Sequence, residues 1–491
     1  MRCGWGVERI GVRGCEFVDE LGRVRLFRGV NVVCKERARG YTYEMSKAEL
    51  ERLEECGFNV VRLGVIWDGL EPEPGVIDEE YLGRLEEQAR ALAEHGMYVL
   101  LDMHQDLYSV RFSDGAPEWA TLTDGLPEPG EVVVWSDAYM SEAVQRAFDH
   151  FWANDPAPDG LGLQDHFAAC WRALAGRLGS RPWLLGYDIF NEPFPGSLAS
   201  RIYSAIFEAL SRVAGIRLED LYARLASAEG RASLLQLLDD ERAYEQVLRA
   251  AEPLVREFEI KYLLPFYERV VEAVRSVEPR GVVFLEDCYF CNAGVPTGIL
   301  TVSRGCSREP CQAYAPHVYD LVVDTPYVAT HFSAKRVKAI VDAKRRAQER
   351  LGVPVLVGEW GAFGHHRGVA PHCEFMLELF DDAAWSWAYW AWTPDFWSSE
   401  AAGLLARPYP AAVSGRLLSF KFRRRRFEME WVPEPSLRAP TLIRLPKSFD
   451  PIEVRVEPRA SVRVVEEGRA LFVEVRTERA GKHAIAVEGC A

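Results

Sequence analysis

No stretch of this 491-residue chain stays apolar for anything near the ~20 residues a membrane-crossing helix needs. Nothing is therefore expected to span a bilayer. The segment Met1 to Gly14 has no charged start, no apolar run of roughly 7 to 15 residues and no small-residue cleavage site, so it does not read as a secretion signal. A cytoplasmic location is the expectation. Basic charge is in deficit: 58 Lys and Arg stand against 73 Asp and Glu, a net charge of −15. That excludes nucleic acid as the main partner, because phosphate binding wants a basic face. Eleven cysteines are an odd number, and they do not repeat as a disulfide framework would. Cys288-Tyr-Phe-Cys291 has a zinc-like gap, but a structural site wants a second such pair, and Cys306 and Cys311 are separated by four residues. Buried thiols or a local disulfide are expected there, and neither a metal nor a cofactor. Asparagine and glutamine are few beside arginine and glutamate, the drift of heat-adapted proteins, so a thermostable chain is expected.

What is present is a globular composition, 48% hydrophobic and 27% charged, with length for a barrel of ~250 to 400 residues and a smaller appendage. Eight short apolar runs recur: Phe27 to Val32, Val60 to Trp67, Tyr98 to His104, Leu184 to Asn191, Val282 to Glu286, Tyr314 to Tyr319, Val355 to Glu359 and Trp385 to Trp392. Amphipathic stretches separate them, and that alternation is the pattern of parallel βα units. Ser46-Lys-Ala-Glu49 is a capping box opening a helix that Gly57 stops, and Glu79 to His95 is a second helix. The fold expected is α/β, a (β/α)8 TIM barrel over residues 1–405. Leu198 to Val274 is too long for one crossover and reads as a helical insertion after strand four, with breaks near Gly215, Pro253 and Pro265. Over residues 406–491 short alternating segments, such as Glu453 to Glu457, Val462 to Val465 and Leu471 to Val475, indicate a C-terminal antiparallel β-sandwich. Arg423 to Arg426 stand at its entrance, as a solvated strand or an anionic-surface contact.

Barrel enzymes build their chemistry at the C-terminal ends of the strands. The fourth run ends in Asn191-Glu192-Pro193 and the seventh in Gly358-Glu359-Trp360, which puts two carboxyls over one cavity. Glycosidic cleavage needs this pairing: one carboxylic acid protonates the leaving oxygen while a second carboxylate attacks the anomeric carbon or activates water. An isolated pair could equally be rim ion pairs. More accompanies it: Gly29-Val-Asn31, Val61-Arg62-Leu63, Asp102-Met-His104, His317-Val-Tyr319 and Tyr389-Trp390 lie on the first, second, third, sixth and eighth runs.

In order and spacing, over roughly residues 20 to 400, these motifs resemble glycoside hydrolase family 5. Gly29 to Lys35, Asp102 to Ser109, Phe190 to Gly196 and Arg407 to Gly415 resemble its endoglycoceramidase-like branch. The resemblance implies a retaining enzyme with Glu192 as acid/base and Glu359 as nucleophile. Physical reasons support the split: the charge of Glu359 should raise the pKa of Glu192, while Arg62 should hold Glu359 ionised. Asn191 matches the residue that hydrogen-bonds the sugar 2-OH, and His104 and His317 are expected to orient hydroxyls and carboxylates. Tyr319 should donate to Glu359, and Trp390 should form the floor beneath the −1 sugar. Trp385 and Trp387 are read as core. Lys35 and Asp106 match positions that bind the glycone, with a plain surface ion pair as the other reading; Glu286 is read as structural or substrate-orienting.

The implied partner is a β-glucoside or β-galactoside with an apolar, glycolipid-like aglycone, because Ile202, Ile206, Phe207 and Leu210 recur at helical spacing beside the leaving-group side. That face could instead only pack the insertion onto the barrel. An endo-β-1,4-glucanase or mannanase suits the same residues, and a non-catalytic carbohydrate-binding barrel would have no use for both acids. Nothing in the sequence sets the oligomeric state.

Overall fold

The computed structural model describes residues 7–489 except 131, 133 and 134, and only the backbone of 228 and 452. Cys3, Cys490 and the first six residues of the N-terminal stretch lie outside it. Eight parallel strands form the central sheet. They are Arg28–Val32, Val60–Ile66, Tyr98–His104, Leu184–Asp188, Val282–Leu285, Gln312–Tyr314, Leu356–Val357 and Ser386–Tyr389. Strand one pairs with strands two and eight, and the remaining strands follow in chain order. Closure comes where Tyr314 bridges Val355 and where extensions of strands six and seven, His317–Val318 and Glu359–Trp360, pair in parallel. Both strands are broken for a local reason. Pro316 has no N–H to give the ladder. At Gly358 a Cβ would stand 2.9 Å from the His317 ring, so only glycine lets that ring lie against the backbone.

Helices cover the barrel, and their ends follow the residues. Ser46 and Glu49 form the reciprocal capping box of helix Lys47–Glu55, and Asp78 caps Glu79–Glu94. In the insertion, Gly215 closes helix Leu198–Ala214 in the left-handed region, as expected. The two prolines behave otherwise. Pro253 sits in the first turn of Glu252–Phe258, where its missing N–H costs nothing, and Pro265 sits in the first turn of Leu264–Arg275. Between them a π turn, Glu259–Leu263, keeps the chain helical where a break was expected.

Two antiparallel sheets pack at the C-terminal end of the chain. One contains Gly415–Arg423, Arg426–Pro433, His483–Gly489 and Pro451–Glu457. The other contains Tyr409–Val413, Thr441–Leu445, Ala470–Arg476 and Ser461–Glu467, and is completed by Ile10–Arg13, Glu16–Asp19 and Val24–Arg25. Residues 10–25, grouped with the barrel from sequence, therefore serve two bodies. Arg25 pairs with Ala412, while Ile10 and Phe17 plug the barrel bottom against Phe27, Tyr98, Leu185 and Phe284. Strands of two to four residues carry too few alternations to read. Arg423 and Arg426 stand at an exposed hairpin tip, paired with Glu378, Glu428 and Glu488. The nine described cysteines are free thiols, with Cys288 and Cys291 buried. Among the described residues no helix is long and apolar enough to cross a membrane.

Candidate active site

The floor is organised by one cation. Arg62, fully buried on strand two, donates from Nε to Asp188 (2.8 Å), from Nη1 to Glu359 (2.8 Å) and Asn31 (3.0 Å), and from Nη2 to Asp102 (2.8 Å), Glu286 (2.8 Å) and Asn191 (2.9 Å). Four carboxylates share one guanidinium, a burial that is tolerable only because the charges meet. Desolvation pushes Asp102 and Asp188 up to about 6 and Glu286 up to about 7, with Arg62 pulling the other way. The cluster Asp102, Asp188 and Glu286, close enough to hold a metal, is thus occupied by Arg62. Lys35 likewise sits among the acids of a second cluster, His104, Asp106 and Asp114.

Above the floor stand the two glutamates. Glu359 opens the outer part of strand seven, held by Arg62 on Oε1 and by the Tyr319 hydroxyl on Oε2 (3.0 Å). Glu192 lies four residues past strand four, on a turn, with a left-handed backbone (φ 47°). Its N–H donates to Glu286 Oε2 (2.8 Å), which gives Glu286 a positioning task. His317 Nδ1 reaches Glu192 Oε1 at 2.9 Å and Glu359 Oε2 at 3.5 Å. One oxygen of Glu192, one of Glu359 and a nitrogen of His317 all lie within 4.8 Å of one another. Glu192 is pushed up to about 7; burial is the largest cause, His317 opposes it, and the charge of Glu359 raises it as expected but by less than burial does. Desolvation costs the charged form more than a neighbour that is itself neutralised by Arg62. His317 is held well above its ordinary value, against burial, by Glu286 and Glu359, whereas burial pushes His104 down to about 3.

The remaining predicted residues line the walls, except Asn191. His104 hydrogen-bonds Asp102 through Nδ1 (2.8 Å) and stacks on Trp390 at 5.1 Å and 13°. Lys35 contacts Asp106, lies 3.4 Å from Asp114, and sets Nζ 5.1 Å from the Trp390 ring centre. Both face the cavity, so this is not a plain surface ion pair. Asn191 is buried beside Arg62, its amide donating to Gln105 O (3.1 Å). Trp385 and Trp387 are core, as read.

A single cavity of about 1250 Å³ begins at Glu192, Glu359, Tyr319 and Trp390 and continues between apolar side chains of the insertion. Ile206, Phe207 and Leu210 line it; Ile202, of the same predicted face, is packed into the core. Leu234, Leu238, Val247 and Leu248, which also line it, were not foreseen, nor was Asn292, whose amide donates to Glu192 Oε1 at 2.6 Å. Asn292 directly follows the Cys288 to Cys291 motif, where thiols drew the attention. Asp102 opens one of the strand motifs and Asp188 lies inside the fourth apolar run, and their place on inward-facing positions of strands three and four was the available signal for partners of Arg62.

A family model described as Cellulase (glycosyl hydrolase family 5) matches residues 24–217 and 251–396, and one described as Glycoside hydrolase family 5 C-terminal domain matches 407–487. An endoglycoceramidase of Cyanea nozakii is 33% identical over 211 residues, 37% of this chain and 41% of that protein. Endoglycoceramidase I of Rhodococcus hoagii is 37% identical over 191 residues, 38% of this chain and 37% of that protein. The aligned part thus spans about two fifths of these curated relatives. The solved endo-glycoceramidase II from Rhodococcus sp. superposes with a TM-score of 0.75 at 28% identity, over 96% of this chain and 99% of that one. Its structures include a lactosyl-enzyme intermediate and a ganglioside GM3 complex.

Proposed function

This chain belongs to glycosyl hydrolase family 5, and from that premise we propose that it is a retaining β-glycosidase acting on β-glucosides or β-galactosides with an apolar, glycolipid-like aglycone. One observation carries the reading: the cavity that holds both glutamates continues directly into an apolar groove. The carboxyl spacing supports retention, since oxygens within 4.8 Å of each other lie nearer the ~5 to 5.5 Å of a double displacement than the ~6.5 to 9.5 Å of an inverting site. In the first step Glu359, held by Arg62 and aimed by Tyr319, attacks the anomeric carbon. Glu192, neutral below about pH 7, gives its proton to the glycosidic oxygen, and the aglycone leaves. In the second, Glu192 takes a proton from water, which attacks the anomeric carbon and frees Glu359. Trp390 offers its ring to the sugar, and Lys35, Asp106 and His104 meet its hydroxyls.

The aglycone part rests on where the apolar wall comes from. Leu225, Leu234, Leu238, Val247 and Leu248 all fall within residues 218–250, the stretch between the two matched segments of the family model. An apolar wall that the shared pattern does not include, lining the same cavity as the two glutamates, suits an apolar aglycone better than a second run of sugars. The test is a series of alkyl β-glucosides below their micelle concentrations, with cellotetraose alongside. Each methylene that enters the groove is worth ~0.8 kcal/mol, so kcat/KM should climb about fourfold per carbon until the groove is full. A flat series with rapid cleavage of cellotetraose would return the chain to the glucanases.

A further inference from the structure

We propose that Asn292, on the segment after strand five, decides which oxygen of Glu192 carries the catalytic proton: it holds Oε1 as an acceptor and leaves Oε2 to protonate the leaving oxygen. The inference rests on the acid/base role given to Glu192 above. Oε1 receives two donors, Asn292 Nδ2 at 2.6 Å and His317 Nδ1 at 2.9 Å. A carboxyl oxygen that already accepts two N–H groups has no direction left for a hydrogen of its own. With the Asn292 amide turned over, its oxygen would face Oε1 and force the proton there, straight against the His317 N–H. His317 keeps that hydrogen because Glu286 and Glu359 favour its charged form.

Neither partner is free to swing away. Glu192 is held in its left-handed backbone by the Glu286 carboxylate. The short helix Tyr289–Ala293 that carries Asn292 is tied at both ends. Glu259, buried on the π turn, accepts from Cys288 N (3.1 Å), and Tyr289 N donates to Pro193 O (3.0 Å). Tyr319 N donates to Asn292 O (3.1 Å), joining the segment to the residue that aims Glu359. At Gly294 the chain turns with φ 97°, where a Cβ would press on Ile340. Asn292 also lines the cavity, beside Glu192. The other titratable groups acting on Glu192 are Glu359, Asp106, Tyr139, Tyr289 and Tyr319, and none of them is a donor to Oε1.

Two substitutions test this positioning role. Asn292→Ala removes the donor, and Asn292→Asp keeps the shape while replacing donor by acceptor, so it carries the test if the first variant folds poorly. The Glu192 carboxyl can be followed by 13C NMR, assigned by its loss in Glu192→Gln, whether or not the protein turns over substrate. Its titration should move up by about one pH unit in Asn292→Ala and further in Asn292→Asp, since a donor to the charged form is lost. The basic limb of kcat/KM should move with it. Losses should be about 100-fold on alkyl glucosides and at least tenfold smaller on dinitrophenyl glucoside, which needs little protonation. An unmoved titration in both variants, or equal losses on both substrates, would overturn the inference. A wild-type protein that hydrolyses no glycoside and is not labelled at Glu359 by a 2-deoxy-2-fluoro-glucoside overturns the functional reading instead, and the titration still decides the role of Asn292.

Discussion

Replacing Arg62 by methionine keeps most of the side-chain volume and deletes the charge that Asp102, Asp188, Glu286 and Glu359 share at 2.8 Å each. Breaking a buried ion pair costs roughly 3–5 kcal/mol, and with four acids on one cation the upper end applies. That cost should depend on pH in a definite direction. Asp102 and Asp188 titrate near 6 and Glu286 near 7 with the cation in place, above the ordinary carboxylate range, so folding takes up protons and stability falls as pH rises through that window. Without Arg62 their pKa values rise again, and the variant binds further protons between about pH 6 and 8. Each extra proton steepens the fall by about 1.4 kcal/mol per pH unit. Urea unfolding at pH 5.5, 7.0 and 8.5 should therefore show a deficit that is small in acid and largest at 8.5. Arg62→Lys, which retains the charge with three donors, should show a smaller and flatter deficit. The same deficit for methionine at all three pH values would mean that Arg62 matters for packing and not for charge.

Glu359→Gln should lose on the order of 10³-fold or more in rate on every substrate, because no covalent intermediate can form. Glu192→Gln should keep its first step with an activated aryl glycoside and accumulate glycosyl-enzyme; azide should rescue Glu192→Ala to the β-azide and Glu359→Ala to the α-azide, and swapped products would swap the roles. In the wild type kcat/KM for an alkyl glucoside should fall as pH rises through about 7, where Glu192 loses its proton. A limb that does not shift down in Glu359→Gln, measured by the Glu192 carboxyl resonance, would show that the nucleophile's charge contributes nothing to that value.

The site was legible where the fold itself does the placing. Glu359, Tyr319, Arg62 and His104 are strand residues or stand just beyond strand ends, and a barrel sends strand ends to one place. Glu192 was legible for the same reason although strand four stops at Asp188, because three residues of turn displace a side chain less than the width of the barrel mouth. What escaped depends on contacts between segments far apart in the chain. Asn292 stands on a segment that Glu259, on the π turn, holds through Cys288 N across 29 residues of chain. No local pattern reports such a contact. The largest cause of the Glu192 shift escaped for a related reason: burial depends on which aromatic side chains close over the turn, and Tyr139, Phe194 and Tyr289, which pack together there, come from three different stretches.

The insertion separates what periodicity can say from what it cannot. Ile202, Ile206, Phe207 and Leu210 repeat at the spacing of one helical face, and a face so made must be covered by something. Its width allows two coverings at once: Ile202 turns into the protein core, while Ile206, Phe207 and Leu210 turn to the cavity. A stripe wider than one packing partner needs a second, and in this chain helix Glu241–Arg249, which carries Val247 and Leu248, packs against it while Leu234 and Leu238 line the same cavity. Arg336 ties the insertion to the barrel through Asp320 and the carbonyl of Leu235. Apolar side chains that line a cavity instead of closing on one another keep surface available to a ligand, and that is the physical ground for placing the aglycone here.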